Sequence, residues 1–117
     1  MAEVSGIIKV EEAMNGRVLV FHLKGKLDTI ASLAVEKQIQ DYINKGHHHI
    51  LLNFSLVSYL STLGLRMLIS TTKKLSSLSG RLVLCSLSPM VLYVLEIAGI
   101  LRKIDIAENE SDALKTF

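Results

Sequence analysis

Short apolar runs rich in β-branched residues alternate along this chain with stretches whose apolar residues recur at helical spacing. The runs "RVLVFHLKG", "HHILLNF", "RLVLCSL" and "LRKIDIAEN" are separated by segments of helical pattern. Parallel strands need a crossover of a dozen or more residues, usually a helix. Strict alternation therefore points to an α/β fold built on a largely parallel sheet with right-handed crossovers. One departure stands at the start: "GIIKVEEAM" and "RVLVFHLKG" flank Asn15-Gly16, a hairpin turn signal, so the first two strands pair antiparallel.

Gly25 is expected to end the second strand. A helix is predicted from Ile30 to Lys45, capped by Asp28 or Thr29 and stopped by Gly46. Its apolar repeat is Leu33, Ile39, Tyr42 and Ile43. The strand "HHILLNF" has a continuous apolar centre, which suits burial on both faces. A second helix carries Leu65, Leu68, Thr72, Leu75 and Leu78 and ends at Gly80. Ser88 and Pro89 open a third, which ends at Gly99, and Ser111 or Asp112 caps a short last one. The predicted order is β-β-α-β-α-β-α-β-α, as one domain over residues 1–117.

Composition excludes several functions. Thirteen Lys and Arg face eleven Asp and Glu, and a net charge of +2 with scattered basic residues gives no footprint for nucleic acid. The apolar runs fall short of the ~20 residues that span a bilayer, and "MAEVSGIIKVEEAM" has no leader pattern, so no membrane insertion is expected. The single cysteine, Cys85, precludes an internal disulfide and fits a reducing, cytoplasmic setting.

Enzyme signatures are missing. There is no phosphate-cradling glycine loop and no nucleophile elbow. Cys85 lies inside an apolar strand and reads as a small buried hydrophobe. His47, His48 and His49 are consecutive, so on a strand they point to alternate faces and do not converge on a metal. His22 alternates away from Leu19, Phe21 and Leu23 and reads as half-exposed rather than a ligand. Glu11, Glu12, Asp105, Glu108 and Glu110 read as solvated charge, with no carboxylate pair marked out for acid–base work. No enzyme activity, cofactor or metal is expected.

The stretch "SYLSTLGLRMLIS", residues 58–70, is the most informative. Strand, short loop, two hydroxyls, Gly64 and a helix follow one another. Ser61 or Thr62 can cap the helix by accepting from a free backbone N–H, a contribution of ~1 kcal/mol. The same position tolerates a phosphate, because a helix N-terminus favours negative charge. A phosphate would put roughly −1.5 to −2 charges beside Leu60 and Leu63 and repel a partner docked there.

From about Ile7 onward the chain resembles a STAS domain of the bacterial anti-sigma factor antagonist family. "LKGKLDTIAS" is similar to the family's G-x-[IL]-D strand end, with Gly25, Leu27 and Asp28 in place. "HILLNFSLVSYLSTLGLRML" resembles the strand and turn that lead into D-S-[ST]-G-L-G. "SGRLVLCSLSP" and "VLEIAGILRKIDI" resemble the later strand and the closing helix, turn and strand. The resemblance implies a protein that, unphosphorylated, binds an anti-sigma factor that is also a serine/threonine kinase, so freeing a sigma factor. ATP-dependent phosphorylation abolishes binding and a serine phosphatase restores it. The family's acceptor matches Thr62, with Ser61 as the rival. Ser61 stands in place of the family Asp, Leu63 in place of the second hydroxyl, and Arg66 in place of a glycine. Partner contact is implied for Asp28, Asn53, Ser61, Thr62, Leu63 and Gly64. Asp28 can equally be a helix cap and Asn53 a strand end. The rival functions are a non-cycling STAS scaffold or transporter regulator, and a small-molecule binder or enzyme.

Overall fold

The structure, a computed structural model, describes residues 5–117. Residues 1–4, the start of the stretch judged free of a leader pattern, lie outside the described residues. The elements are β1 (Gly6–Ala13), β2 (Val18–Leu27), α1 (Thr29–Asn44), β3 (His49–Leu60), α2 (Thr62–Ser77), β4 (Arg81–Cys85), α3 (Pro89–Ile97), β5 (Asp105–Ala107) and α4 (Glu110–Leu114). The order of strands and helices is the predicted one. The five strands lie in sequence order, β1-β2-β3-β4-β5. β1 and β2 pair antiparallel, and β2, β3, β4 and β5 run parallel. The hairpin turn takes left-handed backbone at Met14, Asn15 and Gly16, which is why Asn-Gly serves there.

Three crossovers step the same way across the sheet, so α1, α2 and α3 share one face. That face holds the main core: Phe21, Leu23, Ile50, Leu52, Phe54 and Leu84 meet Val35, Ile39, Leu68, Leu75 and Leu95. The opposite face carries Val18, Val20, Leu51, Val83 and Cys85, covered by Ala113, Leu114 and Phe117. Strands buried on both sides explain the unbroken apolar runs of β3 and β4.

Several local expectations are corrected. Gly25 does not end β2: the strand continues to Leu27, and Gly25 takes φ 82° beside a shift in register against β3. β3 does not stop at Phe54 but runs on to Leu60, because the extended end of β2 offers it a partner as far as Leu27. α1 buries Ala31, Ser32, Val35, Ile39 and Ile43, whereas Leu33 faces solvent. α2 buries Gly64, Met67, Leu68, Thr71 and Leu75, with Leu78 exposed at its C-cap. Ile39 and Ile43 of α1 and Leu68 and Leu75 of α2 face inward as expected, and the buried stripes also take in the small residues Ala31, Ser32 and Gly64. β5 shrinks to three residues, and α4 is capped by Asn109, whose side chain accepts from Asp112 N at 2.8 Å.

Gly80 sits where α2 hands over to β4. A Cβ there would lie 2.0 Å from the backbone oxygen of His48, and backbone cannot swing aside. Gly80→Ala is expected to lower unfolding free energy by about 1–3 kcal/mol, measured by urea denaturation, with no change in circular dichroism at low denaturant.

Candidate functional site

β2 and β3 end level with each other, Leu27 opposite Leu60. Each then starts a helix at once, so the N-termini of α1 and α2 lie side by side. Asp28 caps α1, its carboxylate accepting from Ala31 N at 2.9 Å. Ser61 caps α2, its hydroxyl accepting from Gly64 N at 3.1 Å. The Ser61 backbone N–H donates to the Leu27 carbonyl at 3.0 Å, tying the second helix start to the end of the neighbouring strand. Ser32, on the first turn of α1, donates to the Leu27 carbonyl at 3.1 Å and its hydroxyl oxygen lies 3.5 Å from that of Ser61.

This network divides the two hydroxyls. Ser61 is 9% exposed and engaged as a cap. Thr62 is the first residue of α2 and is exposed. Gly64 is a glycine because the helix starts touch: a Cβ would lie 2.5 Å from Leu60 Cδ1 and 3.1 Å from Ser32 Oγ. Neither α1 nor α2 has an acidic residue in its first turn, so two positive helix ends converge, with the Asp28 carboxylate capping one of them. Leu63 is half-buried, and Ile30, Leu33, Leu56 and Tyr59 are exposed on the segments that lead into or out of the junction. Ile30 is 81% exposed.

Asn53 is not part of this junction. It stands eight residues before Ser61 on β3, about 25 Å away at the rise of an extended strand. Its Nδ2 donates to Glu110 Oε1 at 3.1 Å and its Oδ1 accepts from Ser55 N at 2.9 Å. The structure thus brings Asp28, Ser61, Thr62, Leu63 and Gly64 together and places Asn53 elsewhere.

Where Asn53 lies, a second polar cluster appears that the sequence did not disclose. His22 Nε2 is 2.7 Å from Glu11 Oε1 and 3.8 Å from Glu110 Oε1. His22 is half-buried, as expected, but Glu11 and Glu110 are not merely solvated charges. The hydrogen bond from His22, and after it that from Lys9, hold the Glu11 carboxyl below its ordinary pKa. Alternation had placed His22 on this face, and the hairpin register sets Glu11 on its diagonal. The arrival of Glu110 depends on α4 and has no sequence signal. The histidine run is distributed: Tyr42 meets His47 edge-on, Phe117 meets His49, and the His48 carbonyl accepts from Arg81 N. A shallow hollow of about 400 Å³ beside this run, lined by Arg17, His47, His48 and His49, is at the opposite end of β3 from Ser61. Cys85 is buried, and burial pushes its thiol pKa up.

The model of the STAS domain family matches residues 9–113. A protein of Bordetella bronchiseptica named as the anti-sigma factor antagonist BtrV is 30% identical over 100 residues, 86% of each chain. Among solved structures, one described as an anti-sigma factor antagonist from Thermotoga maritima superposes with a TM-score of 0.87 at 23% identity, covering 92% of each chain. The Bacillus cell-fate determinant SpoIIAA in its phosphorylated form gives 0.71 at 24% identity, covering 92% of this chain and 96% of its own.

The two hydroxyls should separate in a stability measurement. Ser61→Ala removes a buried cap and is expected to cost about 1 kcal/mol, while Thr62→Ala stays within about 0.5 kcal/mol, both read from urea denaturation. Cys85 should resist a thiol-specific reagent at pH 8 in the native protein and react fully once denaturant is added.

Proposed function

The chain belongs to the STAS domain family, and from that premise we propose that it is an anti-sigma factor antagonist switched by phosphate on Thr62. In this reading the 1–117 module is a binding protein rather than an enzyme. Unphosphorylated, it captures an anti-sigma factor through the surface around Asp28, Ser61, Thr62, Leu63 and Gly64, and a sigma factor is released to transcription. The partner, itself a serine/threonine kinase, transfers the γ-phosphoryl group of ATP to Thr62 Oγ1, and a serine phosphatase removes it. The setting is cytoplasmic. The protein itself touches no nucleic acid, and no helix among the described residues is long and apolar enough to cross a membrane.

One observation carries this reading: the chain spends Ser61 as the buried cap of α2 and leaves Thr62 exposed on the first turn. A kinase must reach the hydroxyl it modifies, and Ser61 is buried and engaged with Gly64 N whereas Thr62 is open to solvent. With Ser61 satisfying Gly64 N, Thr62 can be modified without unfolding the turn. The two positive helix ends stabilise the added phosphate. Its charge of roughly −1.5 to −2 then stands among Ile30, Leu33, Leu63 and Tyr59, where an apolar partner face would have to desolvate it. Phosphorylation of SpoIIAA is a property of that relative; the exposed Thr62 is the feature of this chain that fits it.

The test is an intact mass with peptide mapping after incubation in ATP-supplemented extract of the source organism. One phosphate on Thr62 is the expected result, and a Thr62→Asp variant should lose partner capture while Thr62→Ala keeps it in the presence of ATP. Phosphate on Ser61 would move the acceptor by one residue. No added mass, with a control substrate phosphorylated in the same extract, would favour a non-cycling scaffold.

A further inference from the structure

We propose that Glu11, His22 and Glu110 form a binding site for a first-row divalent cation of the zinc class, independent of the Thr62 junction. The three residues come from β1, β2 and the first position of α4. Each offers one donor atom, and the three donors lie within 4.8 Å of one another. Both carboxylates approach the same ring nitrogen: Nε2 is 2.7 Å from Glu11 Oε1 and 3.8 Å from Glu110 Oε1. Zinc binds imidazole and carboxylate donors at about 2.0–2.2 Å, so tetrahedral donors stand about 3.3–3.5 Å apart. The observed separations straddle that figure. Seating an ion requires that Glu11 Oε1 retreat from Nε2 by about 0.6–0.8 Å and that Glu110 close in by about 0.3–0.5 Å.

Charge and supporting contacts fit the same assignment. Two carboxylates with a neutral imidazole give a charge of −2, which a divalent cation balances. Lys9 Nζ sits 3.2 Å from Glu11 Oε2, so it engages the oxygen that faces away from the cluster. Asn53 Nδ2 donates to Glu110 Oε1, while Ser55 N holds the Asn53 carbonyl oxygen, which fixes the amide's orientation. Carboxylate ligands are characteristically held in this way by a neighbouring donor. The three side chains are half-buried, so water completes the coordination sphere. An imidazole ligand excludes the all-oxygen preference of magnesium and calcium and favours zinc and its neighbours. In binding, Nε2 gives up any proton it shares with Glu11, and the imidazole keeps its proton on Nδ1. The bound ion would fasten α4, the short helix that covers the second core, to the hairpin.

Calorimetric titration of the full chain with zinc chloride tests this, and the histidine run at His47–His49 is the rival zinc binder. The variant His47→Ala/His48→Ala/His49→Ala should retain one site per chain. In that background Glu110→Gln and Glu11→Gln should each weaken affinity at least tenfold, and Asn53→Ala about tenfold by releasing Glu110. Glutamine keeps the size of each ligand, and circular dichroism checks that each variant is folded. Loss of binding in the triple variant, equal affinity in Glu110→Gln and the background, or no stoichiometric binding at all would each overturn the assignment.

Discussion

The level ending of β2 and β3 is the constraint on which the functional end of the molecule depends. Leu27 and Leu60 are register partners, and the Leu27 carbonyl accepts from both the Ser61 backbone and the Ser32 hydroxyl. One carbonyl thereby fixes where α1 and α2 begin relative to each other. The caps, the close approach at Gly64 and the exposure of Thr62 all follow. Had β3 stopped at Phe54, a loop of six residues would have preceded Ser61, and its position against α1 would have been loose. The irregular pairing between His22 and Lys26, with Gly25 in a left-handed conformation, lets the two strands stay paired to a common end.

The two faces of the sheet divide the remaining work. Three helices cover one face and bury the bulk of the apolar side chains. Among the described residues, the helix over the other face is α4, of five residues, on a small core. A cover that short leaves polar side chains at its margin, and His22 and Asn53 occupy that margin. Their partner Glu110 is the first residue of the cover itself. The polar cluster is therefore a product of incomplete coverage, and it sits apart from the junction at Ser61.

Legibility in the sequence varied with the range of the interaction. The hairpin at Asn15-Gly16, the Ser88-Pro89 helix start and the order of elements were readable, because each rests on local backbone preference or on period. The inward stripes of α1 and α2 were readable in large residues such as Ile39, Ile43, Leu68 and Leu75, but not in their small ones. Leucines mark a helix as amphipathic, but small residues such as Ala31, Ser32 and Gly64 mark where it is pressed closest. Nothing local in "SLVSYL" signals that the strand continues through it, since its pairing is supplied by β2.

By itself the sequence determined the α/β class, the succession of strands and helices, the hydroxyl pair before a helix and the family likeness carried by the motifs. These depend on residues near one another along the chain. Tertiary structure alone decided which hydroxyl is spent on the cap and which faces out. It also removed Asn53 from the junction and brought Glu110 to His22. Those outcomes depend on strand register and on where a distant helix lands, and no local free-energy preference encodes either.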